Sequence, residues 1–165
     1  GFTSISEKEK PDAVVQLLNR YFDVIVKEII AQNGLVDKFM GDCVMAVFKG
    51  EFHLDRAIDA CLAARNKIVS LPASDNFAPQ ISAGINSGEM ISGNIGSVTL
   101  KRLDYTVIGD IVNTAQRLQS AAGKGQIIIS GSCYEKVKLS FNCRKIGPVA
   151  LKNKSDEVIL YEVLG

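Results

Sequence analysis

Asn113 and Arg117 stand four residues apart in the run Asp110 to Arg117, so on a helix they project the same way. An amide and a guanidinium held together suit a polyanion or a sugar oxygen. A solvated helix face is the commoner meaning of such a pair, and the surrounding elements must decide between them. Ile111, Ala115, Leu118 and Ala122 recur at helical spacing and form the stripe that packs on a core. Gly109 breaks the chain ahead of this helix, and Asp110 is expected at its N-cap. Arg102 to Ile108 alternates polar and apolar residues, as an exposed ribbon or strand end does.

The elements on either side follow the same logic. Pro11 to Gln32 carries a broad apolar stripe (Val14, Leu17, Leu18, Tyr21, Ile25 and Ile29 among it), begun by Pro11 and closed by Asn33-Gly34. Leu35 to Phe48 reads as two short strands about Gly41-Asp42, where a tight turn alone accounts for the aspartate. Lys38 on the first strand reads locally as a solvated lysine. A second helix runs from His53 to Leu71, and Pro72 to Pro79 is a polar loop. His53, a lone histidine near a helix start, is given no catalytic role. Gln80 to Ile95 reads as two strands in a hairpin about Asn86-Ser87-Gly88. Gln126 to Ser130 is a short buried strand. A brief helix about Tyr134 to Val137 and two closing strands follow, with Lys152 and Lys154 between the strands.

Composition narrows the classes. The 165 residues are 47% hydrophobic, and 19 Lys and Arg face 18 Asp and Glu. That balance argues against a disordered tail and against a broad basic surface for nucleic acid. Cys43, Cys61, Cys133 and Cys143 are scattered, with no Cys-x-x-Cys pair, so neither a zinc site nor a disulfide scaffold is spelled out. Reduced thiols in the cytoplasm are the expectation. No apolar run approaches membrane-spanning length and no signal peptide is recognisable. Strands mixed with helices, with hairpins in place of strict βαβ repetition, favour an α+β sandwich.

The run Asp104 to Leu118, Asp-Tyr-Thr-Val-Ile-Gly-Asp-Ile-Val-Asn-Thr-Ala-Gln-Arg-Leu, resembles the signature of the class III nucleotidyl cyclases. Nearly the whole chain fits that family's catalytic domain, from Gly1-Phe2-Thr3 to Leu151-Lys152-Asn153-Lys154. The resemblance implies a ferredoxin-like core with a mostly antiparallel sheet and packed helices. It implies one catalytic domain over 1–165 that lacks its first strand, since the family's first metal-binding Asp falls three positions before Gly1. Asp42 matches the second metal-binding Asp, for Mg²⁺ or Mn²⁺, two ions per site. Asn113 matches the residue that orients the ribose, and Arg117 the one that stabilises charge on the reacting phosphate. Lys152 matches the triphosphate lysine, Phe2 and Thr3 the backbone cradle for phosphates, and Arg102 a polyphosphate contact for which Lys101 is the alternative.

Lys38 and Thr106 match the base-reading pair. Adenine offers an acceptor at N1 and a donor at N6, which a lysine and a threonine hydroxyl can answer. Family members that use GTP carry Glu and Cys at these positions, so ATP is the expected substrate and cyclic AMP with pyrophosphate the expected products. Thr106 is also similar to a subgroup in which bicarbonate sensitivity is common. The family works as a head-to-tail homodimer, and regulatory domains or a membrane anchor elsewhere in the parent chain are expected. A degenerate cyclase-like module that binds nucleotide or dimerises without turnover stays open. So do a diguanylate cyclase relative, to whose Gly-Gly-Asp-Glu-Phe turn Met40 to Val44 is a poor match, and a plain ferredoxin-like binding module.

Overall fold

The computed structural model describes residues 10–71, 79–97, 102–150 and 157–165, with backbone alone at 96–97 and 102–105. These fall into two compact units, one drawn from Gly1–Ser82 with Gly123–Gln126, the other from Ala83–Ala122 with Ile127–Gly165. Helices and strands mix in an α+β arrangement, and four of the five strand pairings among the described residues are antiparallel.

In the first unit, α1 (Pro11–Ala31) begins with proline at its first turn, where a missing N–H costs nothing. It ends in a Schellman motif: Gly34 N donates to Ile29 O at 2.8 Å and Asn33 N to Ile30 O at 2.9 Å. The left-handed residue is Asn33 (φ 53), not the glycine. Gly34 is required by packing instead, because a Cβ there would lie 2.6 Å from the Phe48 ring. β1 (Leu35–Met40) and β2 (Cys43–Val47) then form the expected hairpin, with Met40 opposite Cys43 and Gly41-Asp42 as the turn.

α2 (His53–Val69) buries Leu54, Ala57, Ile58, Ala64 and Ile68 along one face. Its N-cap, Phe52, offers no side-chain bond. Arg56 from the first turn ties the region together instead, donating to the carbonyls of Gln32, Asn33, Lys49 and Glu51. Glu28 on α1 and Lys67 on α2 form an ion pair at 2.5 Å. His53 bonds through Nδ1 to Gly50 O at 2.9 Å, tying the start of α2 to the loop before it.

The second unit holds a four-stranded sheet of order β3 (Ala83–Ile85), β6 (Ile127–Ser130), β8 (Val158–Val163), β7 (Cys143–Val149). β6 is its buried spine: Ile127, Ile128 and Ile129 are each at most 1% exposed. Leu118, Ile128 and Leu160 form the core cluster, with Ala122, Val149 and Val158 packed on it. β4 (Ile91–Ser97) and β5 (Arg102–Ile108) pair as a separate ribbon. α3 (Asp110–Ala121) follows β5, and α4 (Gly131–Val137) starts earlier than the sequence suggests because Ser130 Oγ accepts from Cys133 N.

The hairpin expected over Gln80 to Ile95 does not form. β3 pairs in parallel with β6, and β4 pairs with β5. Asn86 turns the chain out of the sheet: its Nδ2 donates to Ile111 O at 3.3 Å and its Oδ1 accepts from Ser130 Oγ at 2.9 Å. Local turn chemistry was real, but distant partners decided where the strands went. Apart from Pro79, the loop expected at Pro72 to Pro79 lies outside the described residues.

Candidate active site

Asp42 sits exposed at the tip of the β1–β2 turn. Gly41 before it takes φ 62, a conformation that favours glycine, and a Cβ there would meet nothing within 4 Å. Asp42 itself is exposed, at a turn flanked by the facing pairs Met40–Cys43 and Phe39–Val44. The Phe22 and Phe39 rings, 4.7 Å apart, brace the hairpin against α1. Burial, and secondarily the Asp42 charge, push the neighbouring Cys43 thiol up. Lys38 lies on the same hairpin opposite Met45 and pairs with Asp37, Nζ to Oδ2 at 3.4 Å.

Thr106, Asn113 and Arg117 share one strand–turn–helix segment. Thr106 stands opposite Gly93 on the ribbon and is 7% exposed, with Val107 buried beside it, so this end of the ribbon is not the open surface its alternation suggests. Gly109 makes the corner with φ 151 and caps α3, which puts Asp110 in the first turn and not at the cap. Gly109 O accepts from Val112 N at 3.1 Å and from Asn113 N at 3.4 Å. Thr114 and Leu118 point inward, whereas Asn113 is exposed. Arg117 is half-buried, and its Nη1 is fully enclosed without a hydrogen-bond partner. Such a donor costs about 1–3 kcal/mol, more when charged. It is the arrangement an incoming anion would complete.

Close backbone contact fixes the helix that carries these groups. A Cβ on Gly84 would run into the backbone of Ala115 and Gln119, and one on Gly88 would lie 2.6 Å from Ile111 Cδ1. With the Asn86 bond to Ile111 O, β3 and the segment after it hold α3 at three points. None of these three residues is singled out as functional from sequence; Asn86 and Gly88 read there only as turn formers, and Gly84 only as part of a strand.

Of the remaining predicted residues, Phe2, Thr3 and Lys152 lie outside the described residues, as do Lys101 and Lys154. Arg102 is placed only by its backbone, opposite Ser97. Lys38 and Asp42 belong to the first unit and Thr106, Asn113 and Arg117 to the second. Asp37, which pairs with Lys38, carries no signal in the sequence, because the strand irregularity at this point depends on register with β2.

A metal can be tested against the donor chemistry. Among the described residues no three His, Cys, Asp or Glu side chains gather as a metal-binding group. Asp42 is a single hard oxygen donor, exposed at its turn. Mg²⁺ is commonly held in that way, by one or two carboxylates with water and substrate phosphates filling its sphere. The site fits as one anchor of such an ion.

The adenylate and guanylate cyclase catalytic-domain family matches residues 1–165, and the chain belongs to it. The crystal structure of the adenylyl cyclase CyaB from P. aeruginosa is 34% identical with a TM-score of 0.88, covering 100% of this chain and 89% of that one. The guanylyl cyclase Cya2 is 32% identical with a TM-score of 0.82, covering 100% and 87%. Adenylate cyclase 1 of Rhizobium meliloti is 29% identical over 174 residues, 99% of this chain and 26% of that protein. An uncharacterized Mycobacterium tuberculosis protein, Rv1319c, is 38% identical over 118 residues, 72% of this chain and 22% of that protein. The chain thus spans about a quarter or less of these curated relatives. Likeness to an adenylyl and a guanylyl cyclase is nearly equal, so the choice of base rests on particular residues. Among the described residues no helix is long and apolar enough to cross a membrane.

Proposed function

We propose that residues 1–165 act as one adenylyl cyclase catalytic domain, turning ATP into 3′,5′-cyclic AMP and pyrophosphate at the interface of a cytoplasmic homodimer. The observation that carries the catalytic reading is Arg117 Nη1, a buried guanidinium nitrogen with no partner, one turn after the exposed Asn113 amide. On this reading Asn113 holds the ribose so that its 3′-hydroxyl lies in line with the α-phosphate. Arg117 donates to the phosphate oxygens as charge builds on them, and Lys152 holds the triphosphate tail. Phe2 and Thr3 offer backbone N–H groups to the phosphates, and Arg102 adds a positive charge. Two divalent cations, Mg²⁺ or Mn²⁺, when bound, neutralise the triphosphate and acidify the 3′-hydroxyl. Asp42 is the residue that would hold them.

Base choice rests on Lys38 and Thr106. Lys38 has donors only, which suits adenine N1 and opposes the N1–H of guanine. The Thr106 hydroxyl accepts from the adenine N6 amino group, and its burial makes a mismatched base costly. Assaying the full-length protein with ATP and GTP, in Mg²⁺ and in Mn²⁺, tests this. Cyclic AMP should form with a clear preference for ATP, and a clear preference for GTP would overturn it.

A further inference from the structure

The β1–β2 hairpin has one irregularity, and it falls beside Lys38. Val36 pairs with Ala46 and Lys38 with Met45, which leaves Asp37 as the extra residue of a bulge. Neighbours on a regular strand point to opposite faces, whereas a bulge breaks that alternation and re-aims a side chain. Here the Asp37 and Lys38 side chains meet at 3.4 Å. The Asp37 side chain is only 6% exposed against 39% for Lys38. The carboxylate is therefore the fixed member of the pair, and the long lysine stem is the member whose reach it restricts.

We propose that Asp37 is a positioning residue that sets purine selectivity through Lys38. This rests on the adenine-reading part given to Lys38 above. The ion pair favours adenine because it confines the ammonium so that its remaining N–H groups meet an acceptor, the N1 of adenine.

The test is titration of the full-length protein with 3′-deoxy-ATP and 3′-deoxy-GTP in Mg²⁺, nucleotides that lack the attacking hydroxyl. Asp37→Asn keeps the side chain's shape and removes its charge. It should lower the preference for the adenine nucleotide about tenfold, the size of one hydrogen-bond contribution. Asp37→Glu keeps the charge and should retain most of the preference. Lys38→Met should lower the preference at least as far, with Thr106 keeping the remainder, and adding Asp37→Asn to it should lower it no further, because Asp37 acts through Lys38. A merely structural part would shift the unfolding midpoint and leave the binding ratio alone. If Lys38→Met erodes the preference but Asp37→Asn does not, or if the two losses add, Asp37 has no such part and Lys38 keeps its own. If Lys38→Met leaves the preference intact, the base-reading assignment itself falls.

Discussion

Gly84 packs directly against the backbone of Gln119: a Cβ built on the glycine would lie 2.8 Å from Gln119 Cα and closer still to its backbone nitrogen. The neighbour is helix backbone, which cannot swing aside as a side-chain end would. Gly84→Ala should therefore push α3 off β3 and cost about 1–3 kcal/mol or more as overpacking. Because α3 carries Asn113 and Arg117, turnover should fall further than stability alone explains. Denaturant unfolding and kcat, measured below the variant's unfolding range, check both; an unchanged midpoint would show that the strand and helix can separate freely.

Arg56 should be worth more than its half-buried position suggests. Its guanidinium reaches Gln32 O at 2.9 Å, Asn33 O at 3.3 Å, Lys49 O at 2.5 Å and Glu51 O at 3.2 Å. These carbonyls come from the end of α1 and from the loop before α2. Arg56→Met keeps the stem and should destabilise the fold by about 2–3 kcal/mol. Arg56→Lys should recover little, since one ammonium nitrogen with three donors cannot span four carbonyls that the guanidinium reaches from two separate nitrogens. Thermal midpoints of the two variants decide this, and a lysine variant equal to wild type would contradict it.

The ion pair of Lys38 changes how a switch of base must be built. Lys38→Glu with Thr106→Cys copies the pair found in GTP-using relatives of this family. Yet Lys38→Glu sets a second carboxylate beside the withdrawn Asp37, and two like charges at that distance oppose each other. The double variant should lose ATP turnover by about 10–100-fold with little gain in GTP turnover. Adding Asp37→Asn should then raise GTP turnover. Turnover of both nucleotides by the two constructions gives the answer; a double variant that already prefers GTP would remove Asp37 from the account.

Much of this was legible in the sequence, for identifiable reasons. The stripe through Ile111, Ala115 and Leu118, the Gly41-Asp42 turn and the start of α1 at Pro11 are set by neighbours a few residues away, and each formed as read. The segment from Gln80 to Ile95 was misread because its pairing is chosen by β6 and β5, far along the chain. The same limit hid Arg56, whose four acceptors lie up to 24 residues away, and Asp37, whose bulge depends on the register with β2. That Asn113 and Arg117 lie one turn apart on a helix was legible because helical spacing is local. The enclosure of Arg117 Nη1 was not, because burial belongs to the packed chain.

Cys61, half-buried on α2, should be a poorly reactive thiol. Burial pushes it up to about 12, with Arg65 pulling weakly the other way. At pH 8 it should resist alkylation in the native protein and react promptly once the chain is unfolded. The sign of the linked stability follows. Below about pH 9 the thiol is protonated in both states, and above it the unfolded thiol ionises while the folded one does not, so stability falls as pH rises towards 12. Mass-spectrometric mapping of the alkylated cysteines checks the first point, and rapid native labelling at Cys61 would contradict it.

We propose a catalytic site assembled from two chains, with Asp42 from one and Lys38, Thr106, Asn113, Arg117 and Lys152 from the other. Asp42→Ala and Arg117→Ala variants of the full-length protein should each be nearly inactive, with losses on the order of 10²–10³ for the arginine. Mixed in equal amounts and allowed to exchange, about half the dimers become hybrids, in which one site collects both lesions and the other none. Cyclic AMP production from ATP should then recover to roughly a quarter of the wild-type rate. Folded, exchanging variants that stay inactive when mixed would contradict the shared site.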